Sequence, residues 1–309
     1  MKNTFFVIAL LALVVSPAFT ETITLQQGPA YSGTADTHII SWDGNQNQLV
    51  RKADGTNGGN GGTTATTGGN PQNAGGWDYI EEGDYGSTAP LYDDSKCILI
   101  KFDVTSVAAV SNAKIGLYYW FERSTGSSAT EKSGTKKTAH VLNVNRILKP
   151  WARGNGGANG VGVDGTDTPD NTGAVTWNST GYDLWQAMGA EGPEDIAPTE
   201  STTEFDPAVG GWVWFDVTES VKFWVANPGK NFGVKIGQEV YPDPSAFLAP
   251  DLTLPNGKKV YSKAPVAQPT GFVPGAHDFV SSSNAGKPEL RPQLVVEGTS
   301  FTTSWELFQ

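Results

Sequence analysis

Asp164, Asp167 and Asp170 recur every three residues and are followed by Asn171 in a glycine-rich stretch. Carboxylates gathered in this way suit a hard cation such as Ca²⁺, which takes about six to eight oxygen ligands. The spacing is not that of an EF-hand loop, and Asp and Asn equally favour turns by bonding their own backbone. Ca²⁺ is the one cofactor the sequence suggests. His38, His140 and His277 lie far apart, and only His277 has a ligand-type neighbour, Asp278, so they do not form a zinc pattern. No serine sits on a Gly-x-Ser-x-Gly elbow, and Cys97 lies inside an apolar run, which argues for packing rather than reactivity. Gly160-Val-Gly-Val-Asp-Gly165 has the spacing of a dinucleotide loop but lacks the preceding strand and following helix that give that pattern meaning. A glycosidase needs two carboxylates across a cleft; acidic residues abound here, and nothing singles out a pair. The remaining chemistry is aromatic. Flat indole faces cover the apolar faces of sugar rings, and Trp212 and Trp214, with Trp151, Trp177 and Trp185, are the candidates for such a surface.

The elements that must position these residues centre on residues 212–236. Trp212 to Val217 is β-branched and aromatic, as suits a strand. Thr218 is a good helix N-cap, Val221, Trp224 and Val225 recur at helical spacing, and Asn227-Pro-Gly229 stops the helix. Alternation then resumes: Phe232, Val234 and Ile236 point one way, Gly233 and Lys235 the other, as in a strand with one dry face. The tetrapeptide Phe215-Asp-Val-Thr218 repeats Phe102-Asp-Val-Thr105 at the end of an earlier apolar run, so two core strands are expected to end alike. Lys101 marks the outer face there and leaves Ile98, Ile100, Phe102 and Val104 inside. Transferred by register, this puts Val213, Phe215 and Val217 inside, and Trp212 and Trp214 outside on the face of Leu99 and Lys101. Asp103 and Asp216 are expected to satisfy backbone amides at the strand ends rather than to bind a ligand. Further strands are read at residues 22–25, 34–40, 113–121, 140–148 and 291–297.

Residues 1–18 read as a secretory signal, a single Lys2 followed by a short apolar run and the small-residue site Ser16-Pro-Ala18. Residues 19–309 are read as a single domain. It carries a low-complexity Gly, Thr and Asn insertion at 54–76, a Gly- and Asp-rich region at 153–211, and a Pro-rich insertion at 242–276. With 37 Gly, 19 Pro and few long helical patterns, the composition fits many strands joined by irregular loops. One cysteine excludes an intramolecular disulfide. The formal charge of −11 disfavours nucleic acid as a partner, although Lys132, Lys136 and Lys137 make a local basic cluster. No second apolar segment follows the signal, so no membrane insertion is expected once it is removed.

Motifs in order along the chain resemble those of the DNRLRE domain, a secreted module of cell-surface and carbohydrate-active proteins. They are Tyr31-Ser-Gly-Thr-Ala-Asp-Thr-His-Ile39, Leu99-Ile-Lys-Phe-Asp103, Asn112-Ala-Lys-Ile-Gly-Leu-Tyr118 and Val144-Asn-Arg-Ile-Leu-Lys-Pro-Trp-Ala152. Gly173-Ala-Val-Thr-Trp177, Gly189-Ala-Glu-Gly-Pro-Glu-Asp195, the central stretch with Asn231-Phe-Gly233, and Arg291-Pro-Gln-Leu294 continue the series. The resemblance implies an all-β, antiparallel β-sandwich of jelly-roll type with long loop insertions and one or two short helices. It further implies a non-catalytic module, some relatives of which bind carbohydrate, alginate among the ligands. The chain departs from the pattern in the repeat after Asp54 and in Ser281-Ser-Ser-Asn284, where relatives tend to carry an acidic residue after a Ser. The functional expectation is a secreted, non-catalytic module that binds extracellular polysaccharide or cell-surface glycan. The alternatives are a structural cell-surface or matrix protein without a soluble ligand, and a polysaccharide-degrading enzyme.

Overall fold

The structure, a computed structural model, describes residues 21–40, 72–73, 79–84, 96–123, 140–153, 175, 180–183, 185–186, 189–205, 211–238, 252–253, 259–260 and 275–300. The segment 1–18 expected to be a signal, Trp177, the aspartates 164, 167 and 170, the lysines 132, 136 and 137, and most of both insertions lie outside the described residues.

In chain order the strands are β1 (Glu21–Gln26), β2 (Thr34–Ile40), β3 (Gln72–Asn73), β4 (Tyr79–Asp84), β5 (Lys96–Phe102), β6 (Val107–Arg123), β7 (His140–Ile147), β8 (Ile196–Phe205) and β9 (Trp212–Asp216). One α-helix, α1 (Thr218–Ala226), follows, and then β10 (Val234–Gly237), β11 (Leu252–Thr253), β12 (Lys259–Val260), β13 (Gly275–Val280) and β14 (Gln293–Ser300). The fold is the expected all-β, antiparallel sandwich. One sheet has the order β1-β14-β6-β9, and the other contains β13, β4, β5, β2, β10, β7 and β8. The long β6 serves both: its residues up to Tyr118 pair with β14 and β9, and its last residues pair with β13. Within the insertions, β3 pairs with Ile39 and Ile40, and β11 and β12 form a separate small ladder.

The main core lies between the sheets. Ile98, Ile100, Phe102 and Val104 from one side meet Ile115, Leu117, Phe215, Leu294 and Val296 from the other, all buried. Phe102 and Phe215 thus share one interior, as the repeated tetrapeptide predicts. Its aspartates also behave alike, because Asp103 accepts from the amide of Thr105 and Asp216 from that of Thr218, each at 2.9 Å. Helix α1 inserts Val221 and Trp224 into this core. Thr218 is not its cap: the Thr218 hydroxyl accepts instead from the amide of Ala113 at 3.0 Å, tying the helix start to β6. The orphan amide of Ser220 donates to Glu200 of β8 at 2.8 Å, so a distant carboxylate does the work expected of a local hydroxyl.

Two expectations about faces are corrected. The strand after α1 has two dry faces rather than one: Val234 and Ile236 join the main core, while Lys235 is buried on the opposite side against Glu191. The alternation fails at Gly233, which has φ of +80° and leaves Phe232 on the far side with the second core. That second core covers the outer face of β5. Ile39, Cys97 and Leu99 pack there under Ile147, Trp151, Val175, Trp185 and Ala190, so part of the glycine-rich region that reads as loop supplies a third layer. Lys101 does lie on this outer face, with its ammonium 5.1 Å from the centre of the Trp151 ring, and burial lowers its pKa.

Candidate functional site

Strands β5 and β9 belong to different sheets, so the outer face of Trp212 and Trp214 is on the opposite side of the molecule from that of Leu99 and Lys101. The β5 face is roofed, whereas the β9 face carries Trp214 at 39 % exposure. Ladder register gives the rest of the face. Lys114 pairs with Asp216, Gly116 with Trp214 and Tyr118 with Trp212 on one side of β6. Asn112 pairs with Glu297, Lys114 with Val295 and Gly116 with Gln293 on the other. Alternation from the buried Ala113, Ile115, Leu117, Leu294 and Val296 turns all of these outward.

The indoles of Trp212 and Trp214 stack on one another, with centroids 5.8 Å apart and planes at 28°. Tyr118 meets Trp212 edge-on at 5.5 Å. The two indoles and Tyr118 thus form one continuous aromatic patch, in which Trp212 is half-buried and Trp214 is the open member. Gly116 makes this arrangement fit. A Cβ there would come within 2.7 Å of Trp214 Cζ3 and 3.1 Å of Trp212 Cε3, so the indoles lie on bare backbone. The free edge of β9 is held by β8, whose Thr203 and Ser201 hydroxyls donate to the carbonyls of Trp214 at 3.2 Å and Asp216 at 2.6 Å. The patch is thus fixed from below and from the side, as a preorganised site requires.

Beside Trp214 the face holds an open pocket of about 270 Å³, lined by Asn112, Lys114, Trp214, Val295 and Glu297. That is slightly below the ~300 Å³ at which small-molecule sites begin, and comparable with a short stretch of ligand rather than a whole chain. An indole, a methyl-bearing Val295 and three hydrogen-bonding side chains form the mixed apolar and polar lining that a sugar ring needs. Lys114 and Glu297 have no ion-pair partner among the described residues, so both heads are available to a ligand.

Trp151 and Trp185 are placed otherwise. They are 2 % and 1 % exposed in the second core, and the Trp151 indole donates to the carbonyl of Phe232 at 2.6 Å, so neither ring offers an open face. Other ionisable residues collect inside the second sheet. His277 Nδ1 lies 2.6 Å from Glu82 Oε1 with both side chains fully buried, and His38 Nε2 lies 3.5 Å from Glu81 Oε2. Asp36 is buried, accepts from the amide and hydroxyl of Ser282, and pairs with Arg153. Burial raises the Asp36 pKa, while Arg153 and Ser282 pull it back. These groups cross-link strands beneath the surface. Among the described residues no group of three or more His, Cys, Asp or Glu could hold a metal ion, and no helix is long and apolar enough to cross a membrane.

Asn112, Lys114, Gly116, Val295 and Glu297 were not read from the sequence as site residues. The alternation of β6 and β14 carries their outward direction, but only the pairing of those strands with β9 brings them beside Trp214. Comparison of the chain with protein-family models and with curated proteins found no match.

Proposed function

We propose that the protein is a secreted, non-catalytic β-sandwich module of the DNRLRE kind that binds extracellular polysaccharide or cell-surface glycan through the outer face of the β1-β14-β6-β9 sheet. The observation that carries this reading is the half-exposed Trp214, set beside a pocket whose polar heads, Lys114, Asn112 and Glu297, are grouped around it. An indole exposed on an otherwise well-packed sandwich is costly to leave in water, and a sugar ring stacked on it removes that apolar area while the neighbouring heads take its hydroxyls. In this reading Trp212 and Tyr118 brace Trp214, and Gly116 leaves room for the stack.

A second reading is favoured by the contact with Gly116. An aromatic ring laid across a strand glycine compensates for the missing side chain, and Trp214 would then belong to a structural protein of the cell surface without a soluble ligand. The third, a polysaccharide-degrading enzyme, differs from both in product. The test is to pass the protein over a panel of immobilised neutral and acidic polysaccharides and to follow retention and soluble product together. Retention without product is expected; release of sugar marks an enzyme, and neither retention nor product marks the structural protein.

A further inference from the structure

We infer that Lys114 and Glu297 form a donor-acceptor pair that selects a neutral, hydroxyl-bearing glycan over an acidic one; this inference rests on the glycan-binding reading of the Trp214 face. Lys114 lies opposite Val295 in the ladder, and Glu297 lies opposite Asn112, so the two charged residues are diagonal neighbours on one face. Diagonal positions across an antiparallel pair are roughly 7–8 Å apart, which leaves a gap that a ligand group can occupy. Both side chains line the pocket, and no ion pair joins them. A lysine head can only donate and a carboxylate can only accept. A hydroxyl does both. Two adjacent hydroxyls of a sugar ring laid against Trp214 therefore satisfy the pair, one accepting from Lys114 and the other donating to Glu297, with the Asn112 amide on the same rim.

A uronate fits this pocket less well. Its carboxylate would gain Lys114 but meet Glu297, which lines the same pocket. Like charges brought together at an interface are a strong negative selector, and the chain as a whole carries a formal charge of −11, which repels a polyanion at long range. The pocket lining therefore balances one cation, Lys114, against one carboxylate, Glu297, which suits charge-assisted bonds to neutral hydroxyls rather than neutralisation of an acidic polymer.

The experiment uses the full chain, with soluble neutral polysaccharides (a β-glucan, a mannan and a xylan) and polygalacturonate as the acidic probe, by affinity electrophoresis and calorimetry at physiological salt. The wild type is expected to bind at least one neutral polymer at least tenfold more tightly than the polyuronate. Lys114→Gln and Glu297→Gln are each expected to weaken that binding about tenfold, as loss of a hydrogen bond to a charged group does. Glu297→Lys is expected to raise binding of the polyuronate. Tighter binding of polygalacturonate by the wild type overturns the inference and leaves the glycan reading standing. So does retention of affinity within about twofold by both glutamine variants while Trp214→Ala loses it. Binding of none of the polymers by a folded wild type overturns the inference together with the reading beneath it.

Discussion

Replacing Gly116 by alanine places a methyl carbon 2.7 Å from Cζ3 and 2.9 Å from Cη2 of Trp214, and 3.1 Å from Cε3 of Trp212. Ordinary contact begins near 3.4 Å, so the Trp214 ring must retreat by roughly 0.7 Å or swing outward. Overpacking of this size costs about 1–3 kcal/mol in a closed core, but Trp214 is open on one side and can move, which puts the cost at the low end. Alanine also restores about 0.5–1 kcal/mol that glycine forfeits within a strand. The net destabilisation is therefore about 0–1.5 kcal/mol, and the melting temperature should fall by no more than ~6 °C in a domain of this size. Binding should suffer more. Displacing the stacked indole forfeits about 1–1.4 kcal/mol of aromatic contact, a five- to tenfold loss of affinity for whichever polysaccharide the wild type retains. Near-ultraviolet circular dichroism reads the Trp212–Trp214 stack directly, urea unfolding reads stability, and calorimetry reads affinity. A Gly116→Ala protein with unchanged aromatic dichroism and unchanged affinity would refute the placement of Trp214 over the glycine.

Tyr31 donates its hydroxyl to the carbonyl of Asp103 at 3.0 Å, and burial, with the Asp103 charge beside it, raises its pKa. Because the folded state holds this proton more tightly than the unfolded chain, its contribution is complete below pH ~10 and is lost as the pH rises above that value. Urea unfolding of Tyr31→Phe should therefore show a deficit of about 0.5–1 kcal/mol at pH 8 that shrinks above pH 10; a deficit that grows with pH contradicts this. For Lys235, burial lowers the pKa, but Glu191, together with Cys97 and Asp195, more than reverses it and the net shift is upward. Lys235→Met alone should cost about 3–5 kcal/mol in urea unfolding by stranding the Glu191 carboxylate, and the double variant with Glu191→Leu should recover most of that loss. Trp185→Ala empties the centre of the second core and should cost about 3–5 kcal/mol, read as a large drop in melting temperature.

What was legible in the sequence was local. The repeated Phe-Asp-Val-Thr unit gave two strand ends with the same turn chemistry, and alternation placed Phe102 and Phe215 inside and Trp214 outside. What was not legible depended on partners far along the chain. Nothing near Thr218 says that its hydroxyl will bind β6 or that Glu200 will cap the helix. A lysine in an alternating strand reads as solvent-facing, and only Glu191, brought in from a glycine-rich stretch, makes burial of Lys235 tolerable. The same stretch reads as loop because its apolar residues are sparse; Trp185 and Ala190 are enough to roof β5 because Trp151 and Ile147 meet them there. The site follows the same rule. Its indoles were visible from strand register, but Lys114, Asn112 and Glu297 join them through sheet pairing that no short window encodes.

The most direct test of the glycan-binding face is the affinity of Trp214→Ala, measured by calorimetry on the polysaccharide that the wild type retains, with the fold checked by circular dichroism. The account predicts a folded protein whose affinity falls at least tenfold. A folded Trp214→Ala protein with the full affinity of the wild type would contradict it.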